Sequence, residues 1–200
     1  MLRIFYTEMS RFVKLLQYLN VTSIYIPQDE NIIIDHNFHC KLIDFGSATF
    51  YKPGQLFTTF YGTVEYCSPE VLRGCSYEGP ELEMWSLGVL LYIIMFGENP
   101  FYDADDTMRA ELHPPHNDIS SNCWDLVEGC LDPDPKKRAS LWHIKEHAWV
   151  NIPVSATDYR LYDVIPCTES ELRPATHYQD IPDPPSYLCQ VGNHLRNGQV

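Results

Sequence analysis

Two oxygen-bearing side chains at a fixed spacing offer the first recognisable chemistry in this chain. Asp44-Phe45-Gly46 follows a β-branched run, and thirteen residues upstream Asn31 closes the triplet Asp29-Glu30-Asn31. Alone, an Asp-x-Gly after a strand is an ordinary turn, and so short a motif carries weight only through its context. Here the context is two apolar stretches, 31–35 and 41–44, joined by the polar residues 36–39. That pattern predicts a small hairpin. A chain running out and back over this distance brings Asn31 and Asp44 side by side. A carboxylate and an amide oxygen are hard donors, and such a pair would hold Mg²⁺ against nucleotide phosphates. Further downstream, Gly62-Thr-Val-Glu-Tyr66, Ser68-Pro69-Glu70, Trp85-Ser86-x-Gly88 and Asp134-Pro-x-x-Arg138 follow in order.

The elements that must carry these residues can be read from periodicity. Residues 10–20 place Phe12, Leu15, Leu16 and Leu19 at helical spacing behind Ser10. Residues 46–66 show no period and predict a long loop, which in a small domain is usually functional. Residues 81–97 predict a helix apolar on nearly every face and hence central to the core. Residues 120–131 predict a capped amphipathic helix with Cys123, Leu126, Val127, Cys130 and Leu131 inward. Another helix is expected over 141–149, after the turn Asp132-Pro-Asp-Pro135. From residue 151 there are six prolines in fifty residues, a composition that predicts a partly disordered tail.

Composition narrows the partners. Twenty-seven acids against fourteen bases give a formal charge of −13, a field that repels nucleic-acid backbones and anionic membrane surfaces and favours basic peptides. The seven cysteines form no C-x-x-C pair and are odd in number, which argues against a zinc site or a disulfide framework and for a reducing compartment. Arg3, Glu8, Arg11 and Lys14 make the N-terminus a poor signal peptide. The apolar run 87–96 is short for a bilayer. Cytoplasmic residence, extending to the nucleus, is the expectation.

In their order, these motifs resemble the C-terminal lobe of protein serine/threonine kinases from Asp29 to about Val150. The implied fold is that lobe alone, mainly α-helical with a small β-hairpin at the catalytic loop and no N-lobe. The division is a non-matching segment 1–28 with one helix, the lobe 29–150, and the tail 151–200. The resemblance makes Asp44-Phe45-Gly46 the magnesium motif and places Ser68-Pro69-Glu70 where the family usually has Ala-Pro-Glu. It implies ATP and Mg²⁺ bound through Asn31 and Asp44, weakly in this chain alone. It also implies a buried ion pair between Glu70 and Arg138 that anchors the activation segment, with Thr59 and Thr63 as candidate phosphosites. Within the family the chain is most similar to the PAS-domain kinases, through Lys41-Leu-Ile-Asp-Phe-Gly-Ser-Ala48, Gly62-Thr-Val-Glu-Tyr-Cys-Ser-Pro-Glu-Val71 and Gly79-Pro-Glu-Leu-Glu-Met-Trp-Ser-Leu-Gly-Val89. Glu83 stands in the last where most kinases carry Asp. That likeness implies nutrient and metabolic signalling. Asp29-Glu30-Asn31 is also similar to Pim-type kinases, which makes Glu30 a candidate contact for basic substrates.

The pattern breaks just before Asp29. The family's catalytic loop reads His-Arg-Asp-x-x-x-x-Asn, its Asp accepting the substrate hydroxyl proton. Counting back from Asn31, those three positions hold Ile24, Tyr25 and Ile26, and the loop lysine is Gln28. No G-x-G-x-x-G or Val-Ala-x-Lys occurs in these 200 residues. The expectation is therefore a kinase domain fragment that is inactive as it stands, with a non-catalytic interaction module as the alternative. In the tail, Pro184-Pro185-Ser186-Tyr187 fits a WW-domain ligand.

Overall fold

Helix α2, Gly79–Phe96, is the element against which the others pack. It starts with Pro80 in its first turn, where a missing N–H costs nothing. It stops at Gly97, whose φ of 77° lets its N–H return to the Ile93 carbonyl at 2.7 Å. Leu82, Met84, Trp85, Leu87, Val89, Leu90 and Leu91 are all buried, as expected of a helix apolar on every side. Its 18 residues are long and apolar enough to cross a membrane, which the run 87–96 alone does not suggest. Two-thirds of it is buried within the protein, including the charged Glu83, so it serves as a core helix.

The computed structural model describes residues 23–24, 27–34, 40–112 and 119–153, with the backbone alone for Ser23, Ile24 and Ile34. All lie in one unit of the chain, Met1–Val164. The helix expected over 10–20, the tail from 154 onward with its Pro184–Tyr187 motif, and Tyr25 and Ile26 fall outside the described residues.

Three two-stranded antiparallel sheets occur among the described residues. Strand β1, Ser23–Ile24, pairs with β4, Thr49–Phe50. Strands β2, Ile32–Ile34, and β3, Cys40–Leu42, form the expected hairpin with Ile32 opposite Leu42. Strand β5, Leu56–Phe57, pairs with β6, Tyr77–Glu78. The expected loop over 46–66 therefore contains two strands and a 3₁₀ turn, Val64–Tyr66. Two-residue strands are too short to show alternation, and their partners lie 20 or more residues away.

Helix α4, Ser121–Cys130, is capped by Ser120, whose Oγ accepts from the Cys123 N–H at 3.3 Å. The five residues expected to face inward are all buried. Helix α5, Leu141–Glu146, opens with a reciprocal cap between Ser140 and His143. It ends short of the expected 149 because His147 turns extended (φ −64°, ψ 136°) and its Nδ1 accepts from the Trp149 N–H at 3.2 Å. Trp149 is thereby delivered into the core by a turn. Two further helices, α1 (Pro69–Leu72) and α3 (Ala104–Arg109), are too short for periodicity to reveal. Cys67, Cys123 and Cys130 are buried free thiols, and burial first of all pushes each up to about 12, which keeps them protonated and unreactive.

Helices α2 and α4 meet closely at Gly88. A methyl at Gly88 would lie 2.7 Å from Cys130 Cβ and 2.8 Å from Leu131 Cδ2. Alanine would gain about 1 kcal/mol of helix propensity against an overpacking cost of about 1–3 kcal/mol. Gly88→Ala is expected to lower the urea unfolding midpoint. An unchanged or raised midpoint would show that the two helices separate freely.

Candidate active site

The hairpin register fixes how Asn31 and Asp44 meet. Beyond the Ile32–Leu42 pair the ladder gains one more bond, from the Ile43 N–H to the Asn31 carbonyl at 3.0 Å. Asp44 is the next residue, so both stand at the open end of the hairpin. Asn31 closes the 3₁₀ turn Asp29–Asn31, and its Nδ2 donates to Gln28 Oε1 at 3.4 Å. That leaves the amide oxygen of Asn31 as the acceptor. Asp44 adopts φ 55°, a left-handed conformation uncommon outside glycine but tolerated by Asp. Its Oδ1 accepts from the Gly46 N–H at 2.9 Å, an Asx turn that aims the exposed carboxylate. Gly46 lies so close to that oxygen that a Cβ there would sit at 3.0 Å. One carboxylate and one amide oxygen, both hard donors, fit a magnesium ion.

The other candidates are distributed around this point. Gln28 is buried and engaged with Asn31. Glu30 is exposed on the 3₁₀ turn. Thr59 and Thr63 are exposed, and the Thr59 carbonyl accepts from the Tyr77 hydroxyl at 2.8 Å. Between the segment carrying Thr59 and the start of α2 lies a cleft of about 460 Å³, walled by Ala48, Thr49, Phe57, Tyr77 and Leu82.

Glu70 and Arg138, 68 residues apart, meet in a two-pronged ion pair. Nη1 donates to Oε1 at 2.8 Å and Nη2 to Oε2 at 2.9 Å. Arg138 also donates from Nη1 to the Glu81 carbonyl at 2.7 Å and from Nε to the Asp132 carbonyl at 3.0 Å, and lies 5.0 Å over the Trp85 ring. Burial alone would raise the Glu70 carboxyl, but the hydrogen bonds and charge of Arg138 outweigh it and hold the group below its usual 4.5.

One contact escaped the sequence. The Tyr66 hydroxyl donates to Asp29 Oδ1 at 2.6 Å and accepts from the Asp29 N–H at 3.3 Å. Tyr66 belongs to the Gly62–Tyr66 motif, but no local spacing rule links residues 37 positions apart.

A family model for the protein kinase domain matches residues 27–150, beginning two residues before Asp29. The chain is 48% identical over 144 residues to the PAS domain-containing serine/threonine-protein kinase of Mus musculus, covering 72% of this chain and 10% of that protein. It is 42% identical over 126 residues to serine/threonine-protein kinase PSK2 of Saccharomyces cerevisiae, covering 62% and 11%. It is 40% identical over 126 residues to serine/threonine-protein kinase SIK1 of Mus musculus, covering 60% and 16%. The chain thus spans between a tenth and a sixth of the length of these relatives.

The ion pair generates a pH prediction. Because the folded-state value of Glu70 is lowered, its stabilisation is complete above about pH 4.5 and is lost as pH falls through that lowered value. Glu70→Gln leaves Arg138 buried without its counter-charge, a loss of about 3–5 kcal/mol at neutral pH. It should also flatten the acid limb of the stability curve. Chemical denaturation of both chains from pH 3 to pH 7 measures this, and an identical acid limb in the variant would show that Glu70 is not the titrating group.

Proposed function

The chain belongs to the protein kinase family, and we propose that it is the helical lobe of a serine/threonine kinase akin to the PAS-domain kinases, one that does not itself transfer phosphate. The observation that carries the reading is the juxtaposition of Asn31 and Asp44 at the open end of the hairpin, beside a segment anchored through Glu70 and Arg138. In this reading Asn31 and Asp44 hold a magnesium ion, which when bound neutralises charge on the nucleotide phosphates. The side chains between Ile24 and Gln28 are the reason for inactivity. Isoleucine at 26 can neither accept a proton nor orient a hydroxyl, and neutral Gln28 cannot pair with a phosphate as a lysine does. In the same reading Glu30, exposed on the turn that carries Asn31, would meet a basic residue of a peptide. Cytoplasmic and nuclear residence, metabolic signalling and WW-domain binding through Pro184-Pro185-Ser186-Tyr187 belong to the same proposal.

A second reading, a non-catalytic module that binds kinase substrates or regulators, has one observation in its favour. The groups that hold the fold and the activation segment are complete, while those at the general-base and lysine positions are replaced.

With Mg²⁺, ATP and an arginine-containing peptide, the purified chain should give no phosphopeptide, because lost base and positioning each cost orders of magnitude in rate. Nucleotide binding, where titration detects it, should lose its Mg²⁺ dependence in Asp44→Ala. Phosphopeptide formation would overturn inactivity, and an unchanged Asp44→Ala titration would remove the metal assignment. Phosphorylation at Thr59 should leave hydrogen exchange over residues 50–66 unchanged, since a phosphate orders a loop only against a cation and Tyr25 stands at the arginine position. New protection there would mean that another cation serves.

A further inference from the structure

Two 3₁₀ turns from distant parts of the chain, Asp29–Asn31 and Val64–Tyr66, are joined by one side chain. Tyr66 is 5% exposed, and its hydroxyl both donates to and accepts from Asp29. The donated bond, at 2.6 Å to a carboxyl oxygen, is at the short end of the O–H···O range. Burial, and next the hydrogen bond to Asp29, push the Tyr66 phenol far above its usual value.

Tyr66 is itself fixed to the core. Its carbonyl accepts from the Ser86 hydroxyl of α2 at 2.9 Å, and its N–H donates to the Thr63 carbonyl at 3.1 Å. The last residue of the turn it holds is tied by the Asn31 N–H and Nδ2 bonds to Gln28 and by the Ile43 N–H, and Tyr66 ties the first. Gln28, at the N-cap position, makes no side-chain cap, and Asp29 and Glu30 are exposed. By holding both the N–H and the carboxylate of Asp29, Tyr66 fixes the first residue of the three-residue turn that ends at Asn31.

We propose that Tyr66 is a positioning residue for the metal site: through Asp29 it orients Asn31 toward Asp44, coupling the end of the activation segment to magnesium–nucleotide binding. This rests on the assignment of Asn31 and Asp44 as the metal pair. The arrangement matches partners one shell out from a metal ligand, whose loss typically costs about 10–100-fold in affinity.

The test uses the full chain with Mn²⁺–ATP as the probe, free Mn²⁺ being read by electron paramagnetic resonance. Tyr66→Phe and Asp29→Ala should each weaken Mn²⁺–ATP binding by about 10-fold. Asp29→Asn, which keeps an acceptor oxygen and the N–H, should restore binding close to wild type. A side chain that merely fills the core would not be rescued in this way. Wild-type affinity in Tyr66→Phe overturns the proposal. A wild-type chain that binds no Mn²⁺–ATP overturns the metal assignment of Asn31 and Asp44 instead, and hydrogen exchange then decides the latch. Faster exchange at the Asp29 and Ile32 amides of Tyr66→Phe, with α2 unchanged, supports it. Unchanged exchange there, or faster exchange throughout α2, overturns it.

Discussion

A single buried guanidinium sets the geometry on which the rest of the described structure depends. Arg138 reaches Glu70 at the start of α1, the Glu81 carbonyl in the first turn of α2, the Asp132 carbonyl after α4, and the face of Trp85. Trp85 in turn stacks on Phe101 at 5.5 Å. Bringing a charge of each sign out of water is costly, and such a pair returns that cost only when geometry and hydrogen bonding are complete. Here both prongs of the fork are used and two carbonyls take further protons. The net gain over a pair of well-packed apolar residues is small. What the pair adds is connection: it ties Glu70 of α1 to the first turn of α2 and to the chain after α4 through one side chain.

The same helix that receives this anchor also governs the candidate site. Along α2, Trp85 meets Arg138, Ser86 holds the Tyr66 carbonyl, and Gly88 admits α4. These three residues fall within one turn and point in different directions, so a helix apolar on every face can serve three neighbours at once. The small residues matter as much as the large. Serine satisfies a buried carbonyl, and glycine permits backbone contact that any side chain would block. From Ser86 the connection continues through Tyr66 to Asp29 and reaches the hairpin end within two further residues.

Legibility in the sequence followed physical scale. The long helix and α4 could be read from apolar spacing and a Ser cap because each spans several turns. The hairpin could be read because β2 and β3 are adjacent in the chain and β2 is entirely isoleucine. Strands β4 and β5 could not, since two residues hold no period and their partners are remote. Helix α5 was read too long because nothing local reports that His147 leaves the helix to receive the Trp149 N–H. The approach of Glu70 to Arg138 came from family resemblance, since 68 residues of separation leave no local trace. Asp44 was legible as a motif but not as a left-handed residue. The Tyr66–Asp29 bond was invisible for the same reason as the ion pair, and no familiar motif marked it.

The separation between what holds this fold and what would perform chemistry explains how the chain keeps one while departing from the other. Strand β1 leads directly into positions 25–28, where the residues differ from the kinase pattern, yet it pairs with Thr49 and Phe50 in register. A β ladder is made of backbone N–H and C=O groups and asks nothing of the side chains except that they fit. Isoleucine is a favourable strand residue, so Ile24 suits the pairing that β1 makes with β4. The partners of Arg138 and of the Tyr66 hydroxyl and carbonyl in the bonds described above are Glu70, Glu81, Asp132, Ser86 and Asp29, which lie in other parts of the chain. Proton transfer, by contrast, depends on the side chain alone, and at position 26 an alkyl group provides none. Side chains at positions 24–26 can therefore change without touching the backbone ladder of β1, the Glu70–Arg138 pair or the hairpin end.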